Sequence, residues 1–94
     1  MPLNLVWSPL ARRRLLEIHD FVARDKPDAA ARLATRIVAI TQILREHPHL
    51  GRTGHEPGIR ELVVGGTPYV VLYRIRQQRV VITTIWHGSQ QYRP

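Results

Sequence analysis

The chain has 94 residues, a length typical of one domain, and it contains no cysteine, which excludes disulfide bonds and thiolate metal sites. Its 14 Lys and Arg residues against 7 Asp and Glu residues give a net charge of +7, which favours acidic partners such as nucleic acid or an acidic protein segment, although an arginine-rich genome would give the same composition. The first residues lack the features of a secretory signal and no apolar run approaches the ~20 residues of a membrane helix, so we expect a cytoplasmic protein with no membrane partner.

The N-terminal segment predicts a strand followed by a helix. Residues Leu3–Trp7 are short and alternating enough to form a first strand. Ser8 and Pro9 suit the N-cap and the first position of a helix, which we expect to run to about Arg24. Apolar residues at helical spacing mark the buried side of this helix: Ala11, Leu15, Ile18 and Val22.

A second helix follows after a very short link. Pro27 again fits a first helical position, and Asp28 suits the positive end of the helix dipole. We expect the helix to end near His47, because Pro48 disfavours the helical conformation in the residue before it. Its apolar stripe consists of Leu33, Ile37, Ile40 and Leu44. The two helices therefore form a hairpin.

The C-terminal half predicts a loop and three strands. Residues His49–Gly58 are rich in Gly, Pro and His, as loops are. Three strand-like runs come next: Ile59–Val64, Tyr69–Arg76 and Arg79–His87. Gly65 with Gly66, and Gln77 with Gln78, separate these runs and suit tight hairpins. A polar tail begins at Gly88.

These elements predict an α+β fold in one domain spanning residues 1–94. It consists of an N-terminal strand, a two-helix hairpin and a three-stranded antiparallel meander, with the helices packed on one face of the sheet.

The last two strands are apolar on both faces, although two helices can cover only one. In the middle strand, Val70 and Leu72 alternate against another apolar set consisting of Tyr69, Val71, Tyr73 and Ile75. In the last strand, we expect Val81 and Ile85 on one face, against a second set consisting of Val80, Ile82 and Trp86. Exposed apolar surface rimmed by Arg74 and Arg76 predicts a docking site for a partner. The alternative is that the loop and the tail fold over this face.

Charged residues on the first helix and in the first meander strand predict surface ion pairs rather than chemistry. Glu17 and Asp20 lie three residues apart, but Arg13 precedes Glu17 by four residues and Arg24 follows Asp20 by four. We expect Glu61 to pair with an arginine of a neighbouring strand.

Two further patterns are weak. His47, His49 and His55 cluster near the loop but follow no zinc-site spacing, so we expect loop histidines without a structural role and no bound metal. The glycines of Gly51–Gly54 resemble loops that approach phosphate, yet a turn after the helix explains them better.

One set of residues has the types needed for acid–base chemistry on a phosphate. His87 and Glu56 are suited to proton transfer near neutral pH, and Arg60 and Arg74 are suited to holding a phosphate, with Gln90 nearby in sequence. The sequence alone does not say whether these side chains converge.

Six segments in order resemble the RelE/ParE toxin superfamily, and together they cover essentially the whole chain. They are residues Trp7–Ala11, Pro27–Ala30, His47–Arg52, Arg60–Val64, Pro68–Arg74 and Ile85–Gln90. The resemblance implies two helices against an antiparallel sheet, and no cofactor. It also implies an antitoxin partner that wraps the toxin, which we expect to contact Val70, Leu72 and Arg76, and operator DNA bound only through the antitoxin complex.

The resemblance also separates two activities within the superfamily. Its RelE-like members are ribosome-dependent mRNA endonucleases, whereas ParE-like members inhibit DNA gyrase. The nuclease branch typically carries an Arg on the central strand where this chain has Val70, and an aliphatic side chain cannot stabilise developing phosphate charge. Glu56 and His87 match an acid–base pair of one nuclease subgroup, and Arg74 or Arg52 could substitute for the missing Arg.

We therefore expect a ParE-like toxin that inhibits gyrase and is not itself an enzyme. The target contacts expected from the sequence are Arg60, Tyr69, Arg74 and His87, although Tyr69 could equally belong to the core and Arg74 to an ion pair. The alternatives are an mRNA endonuclease using Glu56, His87 and Arg74, and a non-toxic remnant that only binds its antitoxin.

Overall fold

The fold is α+β, as predicted, in a computed structural model that describes residues 2–88. The elements in chain order are β1 (Asn4–Trp7), α1 (Pro9–Ala23), α2 (Pro27–Ile43), β2 (Arg52–Thr53), β3 (Arg60–Val63), β4 (Tyr69–Arg76) and β5 (Arg79–His87). Gln90 and the rest of the predicted polar tail after Gly88 lie outside the described residues. Within residues 2–88, no helix is long and apolar enough to cross a membrane.

Helix α1 begins as its sequence predicts. The hydroxyl of Ser8 accepts a hydrogen bond from the backbone N–H of Ala11 at 3.0 Å and donates one to the carbonyl of Thr83 at 2.8 Å. Pro9 occupies the first turn. The N-cap therefore satisfies an otherwise unpaired helix donor and also fastens the start of α1 to strand β5.

Helix α2 begins at Pro27 as predicted but ends at Ile43, four residues earlier than expected. After Ile43 the chain tightens into a turn in which Arg45 and Glu46 donate their backbone N–H groups to carbonyls three residues earlier, at 3.2 Å in each case. The His47 N–H donates to the carbonyl of Ile43, four residues earlier, at 3.0 Å, so the helix ends in a tightened turn that mixes 3₁₀-type bonds with one α-type bond.

The sheet has five strands in the order β1-β5-β4-β3-β2. Strand β1 is parallel to β5, and the other neighbouring pairs are antiparallel. The predicted loop contains the additional strand β2, in which Arg52 pairs with Glu61 and Thr53 with Arg60. The meander β3-β4-β5 is as predicted, and the α1–α2 hairpin connects β1 to it.

The pairing of β4 with β5 contains a β-bulge. Leu72 lies opposite Thr84, but the next residue of β4, Tyr73, lies opposite Ile82, so Thr83 is an extra residue in β5. The hydroxyl of Thr83 donates a hydrogen bond to the carbonyl of Leu72 at 3.0 Å, which holds the bulge in place.

The bulge makes the predicted face assignment of β5 wrong. Ile85 belongs to the buried core with Val80 and Ile82, not to the face of Val81, and Trp86 lies opposite Val70 on the other face. An extra residue reverses the alternation of side chains beyond it, which strict period-two counting cannot detect.

The core lies between the helix pair and one face of the sheet. Helix α1 contributes Ala11 and α2 contributes Ile37, and both are fully buried against the strands. The core-facing residues of β4 are Tyr69, Val71 and Tyr73, so the alternative that Tyr69 belongs to the core is confirmed. Burying each large aliphatic side chain contributes about 1.5–3 kcal/mol.

The sheet face turned away from the helices is called the open face below. Residues 54–58, the cover loop, lie against part of it, because His55 and Glu56 line a pocket together with Leu72 of β4. Leu72 is consequently only 5% exposed, whereas Val63 at the edge of this face is 52% exposed. The open face is therefore partly covered and partly available.

Candidate functional site

The open face contains a pocket of about 180 Å³ between the cover loop and strands β3, β4 and β5. Its polar lining residues include Arg74, Thr83 and Thr84, and its apolar lining residues include Leu72 and Trp86. This open-face pocket is completed by His55, Glu56, Ile59 and Glu61. It combines a cation, carboxylates, hydroxyls and an aromatic ring in a small space.

A buried carboxylate holds the edge of this pocket. Glu61 has a side chain that is 9% exposed, and its Oε1 accepts hydrogen bonds from Nε and Nη2 of Arg52 at 3.3 and 3.2 Å. Nδ1 of His55 lies 3.2 Å from Oε2. Burial opposes ionisation, but the hydrogen bonds from His55 and Arg52 and the charge of Arg52 together hold the pKa of Glu61 below its ordinary value. The prediction that Glu61 pairs with an arginine of a neighbouring strand is confirmed.

The segment that enters β2 is anchored to the core through Tyr73. The Tyr73 hydroxyl donates to the carbonyl of Pro48 at 2.7 Å and accepts from the backbone N–H of Gly51 at 2.8 Å. Nη1 of Arg60 donates to the carbonyl of Gly51 at 2.7 Å. Burial raises the pKa of Tyr73, although the Gly51 hydrogen bond and the Arg60 charge act in the opposite direction. Glycine at position 51 serves this close approach.

The residues expected for a nuclease are brought together only in part. Glu56 and Arg74 both line the open-face pocket. His87 lies opposite Tyr69 on the helix side of the sheet, and the two rings meet edge to face with centroids 5.3 Å apart. Neighbouring residues of a strand point to opposite faces, so it is Trp86 rather than His87 that joins the pocket.

The four expected target contacts do not share one surface. Tyr69 is 7% exposed and belongs to the core, and His87 packs against it. Arg60 lies opposite Tyr73 and is engaged with Gly51. Arg74 lies on the open face opposite Val81, and it makes no hydrogen bond or ion pair within residues 2–88.

The expected antitoxin contacts do share one side of β4. Val70, Leu72 and Arg76 all lie on the open face. Leu72 is buried there, Val70 is half-buried and Arg76 is exposed. A partner docking on this side of β4 would thus meet mainly Val70 and Arg76 in the described conformation.

A larger apolar depression, which sequence analysis missed, lies beside β1. This β1 groove has a volume of about 690 Å³ and is lined by Leu5, Val6, Trp7, Arg12, Leu15, Leu16 and Val38. Leu16 is 63% exposed and Val38 is 38% exposed, although both are large aliphatic residues. The sequence contained one signal for this groove, because Leu16 and Val38 are large aliphatic residues outside the apolar stripes of α1 and α2. Arg12 contributes the groove's charge.

The groove runs along β1, which is an edge strand of the sheet formed by residues 2–88. The backbone groups of Asn4, Val6 and Ser8 face β5. The Asn4 N–H donates to the Gln78 carbonyl, and the Ser8 N–H donates to the Ile82 carbonyl. Alternation directs the backbone groups of Leu3, Leu5 and Trp7 to the other side. Arg45 covers this edge at Leu3: the Arg45 carbonyl accepts from the Leu3 N–H, and Nε of Arg45 donates to the Leu3 carbonyl, each at 2.9 Å.

The remaining charged constellations have structural partners. Glu17 pairs with Arg14 at 2.8 Å rather than with Arg13, and Asp20 contacts His19 at 3.1 Å rather than Arg24. The predicted pairs with Arg13 and Arg24 are therefore wrong, because each carboxylate contacts a side chain nearer in sequence on the same helix. Within residues 2–88, no three His, Asp or Glu side chains are grouped to hold a metal ion.

The expectation about His55 in the loop is wrong, whereas the structural interpretation of the loop glycines agrees with the structure. His55 was expected to have no structural role, but its ring contacts the buried Glu61 carboxylate. At the ends of the Gly51–Gly54 segment, a Cβ on Gly51 would lie 2.7 Å from Cε1 of Tyr73, and a Cβ on Gly54 would lie 2.8 Å from the carbonyl of Ile59. These glycines allow close packing, in agreement with the structural interpretation of the motif.

Comparison with protein families gives one match that spans nearly the whole chain. The sequence model described as "ParE toxin of type II toxin-antitoxin system, parDE" matches residues 5–92. A putative toxin, Y4kP, of Sinorhizobium fredii is 43% identical over 86 residues, which cover 92% of this chain and 88% of that protein. Toxin RelE2 of Caulobacter vibrioides is 35% identical over 87 residues, covering 93% of this chain and 97% of that protein.

Solved structures share the fold. The chain resembles a structure of the chromosomal ParDE toxin–antitoxin system from P. aeruginosa with a TM-score of 0.84 and 24% identity, covering 90% of this chain and 95% of that chain. It resembles the toxin–antitoxin complex RelBE2 from Mycobacterium tuberculosis with a TM-score of 0.70 and 25% identity, covering 93% and 99% of the two chains.

Proposed function

The chain belongs to the ParE toxin family of type II toxin–antitoxin systems, and from that membership we propose that it inhibits DNA gyrase and is neutralised by a cognate antitoxin. The observation that supports gyrase inhibition over RNA cleavage is the presence of a valine at position 70. It lies on the open face opposite Trp86, where the resemblance places an arginine in the nuclease branch. Losing one such donor typically costs a nuclease about 10²–10³ in rate.

A second candidate function, cleavage of ribosome-bound mRNA, has two observations in its favour. One relative of similar length is a RelE toxin at 35% identity. Glu56 and Arg74 also line one pocket, so a carboxylate and a cation are available together. The position of His87 on the other face of the sheet counts against it, because the expected acid–base partner of Glu56 lies across the sheet.

The surface that contacts gyrase is part of the proposal. Of the four residues expected from the sequence, Arg74 is best placed, because it is a cation on the open face with no partner among the described residues. Arg60 and His87 would contribute from the edges of the domain, whereas Tyr69 would support His87 from the core. Arginine is suited to forked contacts with carboxylates or phosphates of the target.

The antitoxin is proposed to occupy the β1 groove. The solved RelBE2 structure is a toxin–antitoxin complex, and this groove is an apolar depression of about 690 Å³. An extended segment could pair with the free backbone groups of Leu5 and Trp7, while its apolar side chains cover Leu16 and Val38. Arg12 at the groove and the net charge of +7 favour an acidic segment.

A paired assay tests the target. Purified toxin is added to gyrase acting on relaxed plasmid and, separately, to translating ribosomes carrying mRNA. We expect loss of supercoiling with intact mRNA. Cut mRNA with normal supercoiling would replace the gyrase proposal with the nuclease, and the absence of both effects would favour the antitoxin-binding remnant. Relaxed plasmid incubated with the toxin but without gyrase controls for direct action of the toxin on DNA.

Co-purification tests the antitoxin site. Leu16→Glu places a charge in the β1 groove and is expected to abolish recovery of the antitoxin with the tagged toxin. Phe21→Glu is the matched control, because Phe21 is 67% exposed on the same helix but does not line the groove. Equal recovery with both variants would exclude the groove and return attention to Val70 and Arg76 on the open face.

A further inference from the structure

We propose that a second pocket, on the helix side of the sheet, binds a carboxylate that carries an aliphatic group, with the carboxylate at Arg60 and the aliphatic group against Ile59 and Ile75. This Arg60 pocket has a volume of about 240 Å³ and is lined by His49, Thr53, Gly58, Ile59, Arg60 and Ile75. The site goes beyond the proposed inhibition of gyrase and does not depend on it.

The Arg60 pocket lies on the opposite side of the sheet from the open-face pocket. Arg60 pairs across strands with Tyr73 of β4 and with Thr53 of β2, and Tyr73 belongs to the core beneath the helices. Cross-strand partners share one face of a sheet, so Arg60 and Thr53 lie on the helix side. Of the described lining residues, the two pockets share only Ile59. The Arg60 pocket is therefore a separate site.

The early end of α2 leaves this pocket uncovered. The helix ends at Ile43, and no residue of α1 or α2 is among the described lining residues. His49, which follows the turn after the helix, lies at the pocket instead. Ile75 packs against the core but is only half-buried. This part of the helix side is therefore accessible to a ligand.

Arg60 is a half-buried cation without an opposite charge. Its Nη1 donates to the Gly51 carbonyl at 2.7 Å, which orients the guanidinium, but Arg60 makes no ion pair within residues 2–88. The described lining residues include no Asp or Glu. Burying a charge without an opposite charge is costly, so a bound anion would stabilise this arrangement. The remaining N–H groups of the guanidinium can donate to both oxygens of one carboxylate.

The charge and volume of the pocket favour a carboxylate with an aliphatic group over a phosphate. Arg60 is the one Lys or Arg among the described lining residues, so a single negative charge balances it, whereas a phosphate monoester brings about 1.5–2 negative charges. Ile59 and Ile75 supply apolar surface beside this cation. The volume of about 240 Å³ is smaller than the roughly 300–1,000 Å³ of pockets for drug-sized ligands, so the pocket suits one small branched group.

Binding is measured by nuclear magnetic resonance titration of the full isotope-labelled chain, following the backbone N–H signals of Thr53, Gly58 and Ile59. The probes are N-acetyl-leucine, its uncharged analogue N-acetyl-leucinamide, and acetate, which lacks the branched group. We expect N-acetyl-leucine to bind with a dissociation constant on the order of 1 mM. It should bind at least about tenfold more tightly than either control, because each control lacks one half of the recognised chemistry.

Two further probes identify the source of the carboxylate. Isocaproate represents a free branched-chain acid, and an acetylated glycyl-glycyl-leucine with a free carboxylate represents the C-terminus of a protein chain. Tighter binding of isocaproate indicates a small acid as the natural ligand. Tighter binding of the peptide indicates a protein whose chain ends in an aliphatic residue.

Substitutions at Thr53 test the position of the carboxylate. Thr53 is exposed and lies opposite Arg60, so Thr53→Glu places a carboxylate of this chain beside the guanidinium. The variant should have a higher Tm and should lose binding of N-acetyl-leucine, because its own carboxylate replaces that of the ligand. Thr53→Gln is the matched control, since it has the same size without the charge, and it should retain binding.

A substitution of Arg60 tests the forked contact. Arg60→Lys keeps the charge but not the fork, and should weaken N-acetyl-leucine about tenfold. Its Tm is measured alongside, because Arg60 also binds the Gly51 carbonyl. The Thr53 pair of variants remains informative if this substitution unfolds the domain.

Three results would overturn the assignment. These are equal affinities for N-acetyl-leucine and its amide, tighter binding of inorganic phosphate than of N-acetyl-leucine, and equal affinities of the Thr53→Glu and Thr53→Gln variants for N-acetyl-leucine. None of these outcomes bears on gyrase inhibition, which the supercoiling assay measures separately.

Discussion

The buried carboxylate of Glu61 accepts two hydrogen bonds from the guanidinium of Arg52, although the Arg52 side chain is 74% exposed. This pair joins the short strand β2 to β3 and places a charged anchor beneath the cover loop, where His55 contacts the second carboxylate oxygen. The edge of the sheet next to the open-face pocket is therefore held by an electrostatic contact rather than by apolar packing.

The Glu61 anchor predicts a loss of stability in acid. The pKa of Glu61 is lowered from its ordinary value of 4.5, so ionised Glu61 stabilises the folded state above that pH and the contribution is lost as pH falls below it. Glu61→Gln should cost about 1–2 kcal/mol at pH 7. It should also flatten the decline of the unfolding free energy, measured by urea denaturation, between pH 7 and acid. An unchanged pH profile would contradict the anchor role.

We expect the Tyr73 hydroxyl to make a large contribution to the free energy of unfolding for so small a group. Tyr73→Phe removes the donor to Pro48 and leaves the N–H of Gly51 without its partner, so we expect a loss of about 1–3 kcal/mol. Thermal unfolding followed by circular dichroism measures it. Tyr69→Phe is the control, because the Tyr69 hydroxyl makes no hydrogen bond within residues 2–88. Equal effects of the two variants would argue against this anchor.

Alanine substitutions at two glycines should differ in how strongly they destabilise the domain. Gly51→Ala would bring Cβ within 2.7 Å of the Tyr73 ring and 2.9 Å of the Glu61 carbonyl, and should destabilise the domain by about 1–3 kcal/mol. Gly65→Ala would meet only the flexible end of Arg36 at 3.5 Å, so it should be near neutral. Chemical denaturation compares them, and a tolerated Gly51→Ala would show that the loop can retreat from Tyr73.

The N-cap of α1 should contribute more to the stability of the domain than an ion pair on the same helix does. Ser8→Ala removes both the cap to Ala11 and the bond to Thr83, and should cost about 1–2 kcal/mol. Arg14→Ala breaks the ion pair with Glu17, whose side chains are 47% and 53% exposed, and should cost less than about 0.5 kcal/mol. Similar Tm values for the two variants would contradict the double role of Ser8.

Most of the elements follow from local sequence signals. Ser8 and Pro9 start α1, Pro27 starts α2, and the turn dipeptides separate the last strands where predicted. Each of these signals acts over a few residues, because caps, proline geometry and apolar spacing depend on the chain's immediate neighbours. For the same reason the α+β order could be stated before any tertiary contact was known.

The surfaces were decided by tertiary structure. The bulge at Thr83 moves Ile85 into the core, and the cover loop buries Leu72 through a contact between His55 and Glu61. The β1 groove requires Trp7 and Leu16 to meet Val38 of another helix. A local pattern determines which residues are helical or extended, but the face a side chain occupies depends on register and on partners far along the chain. The sequence by itself thus determined the family and the elements, whereas long-range packing alone placed Glu56 beside Arg74 and His87 across the sheet.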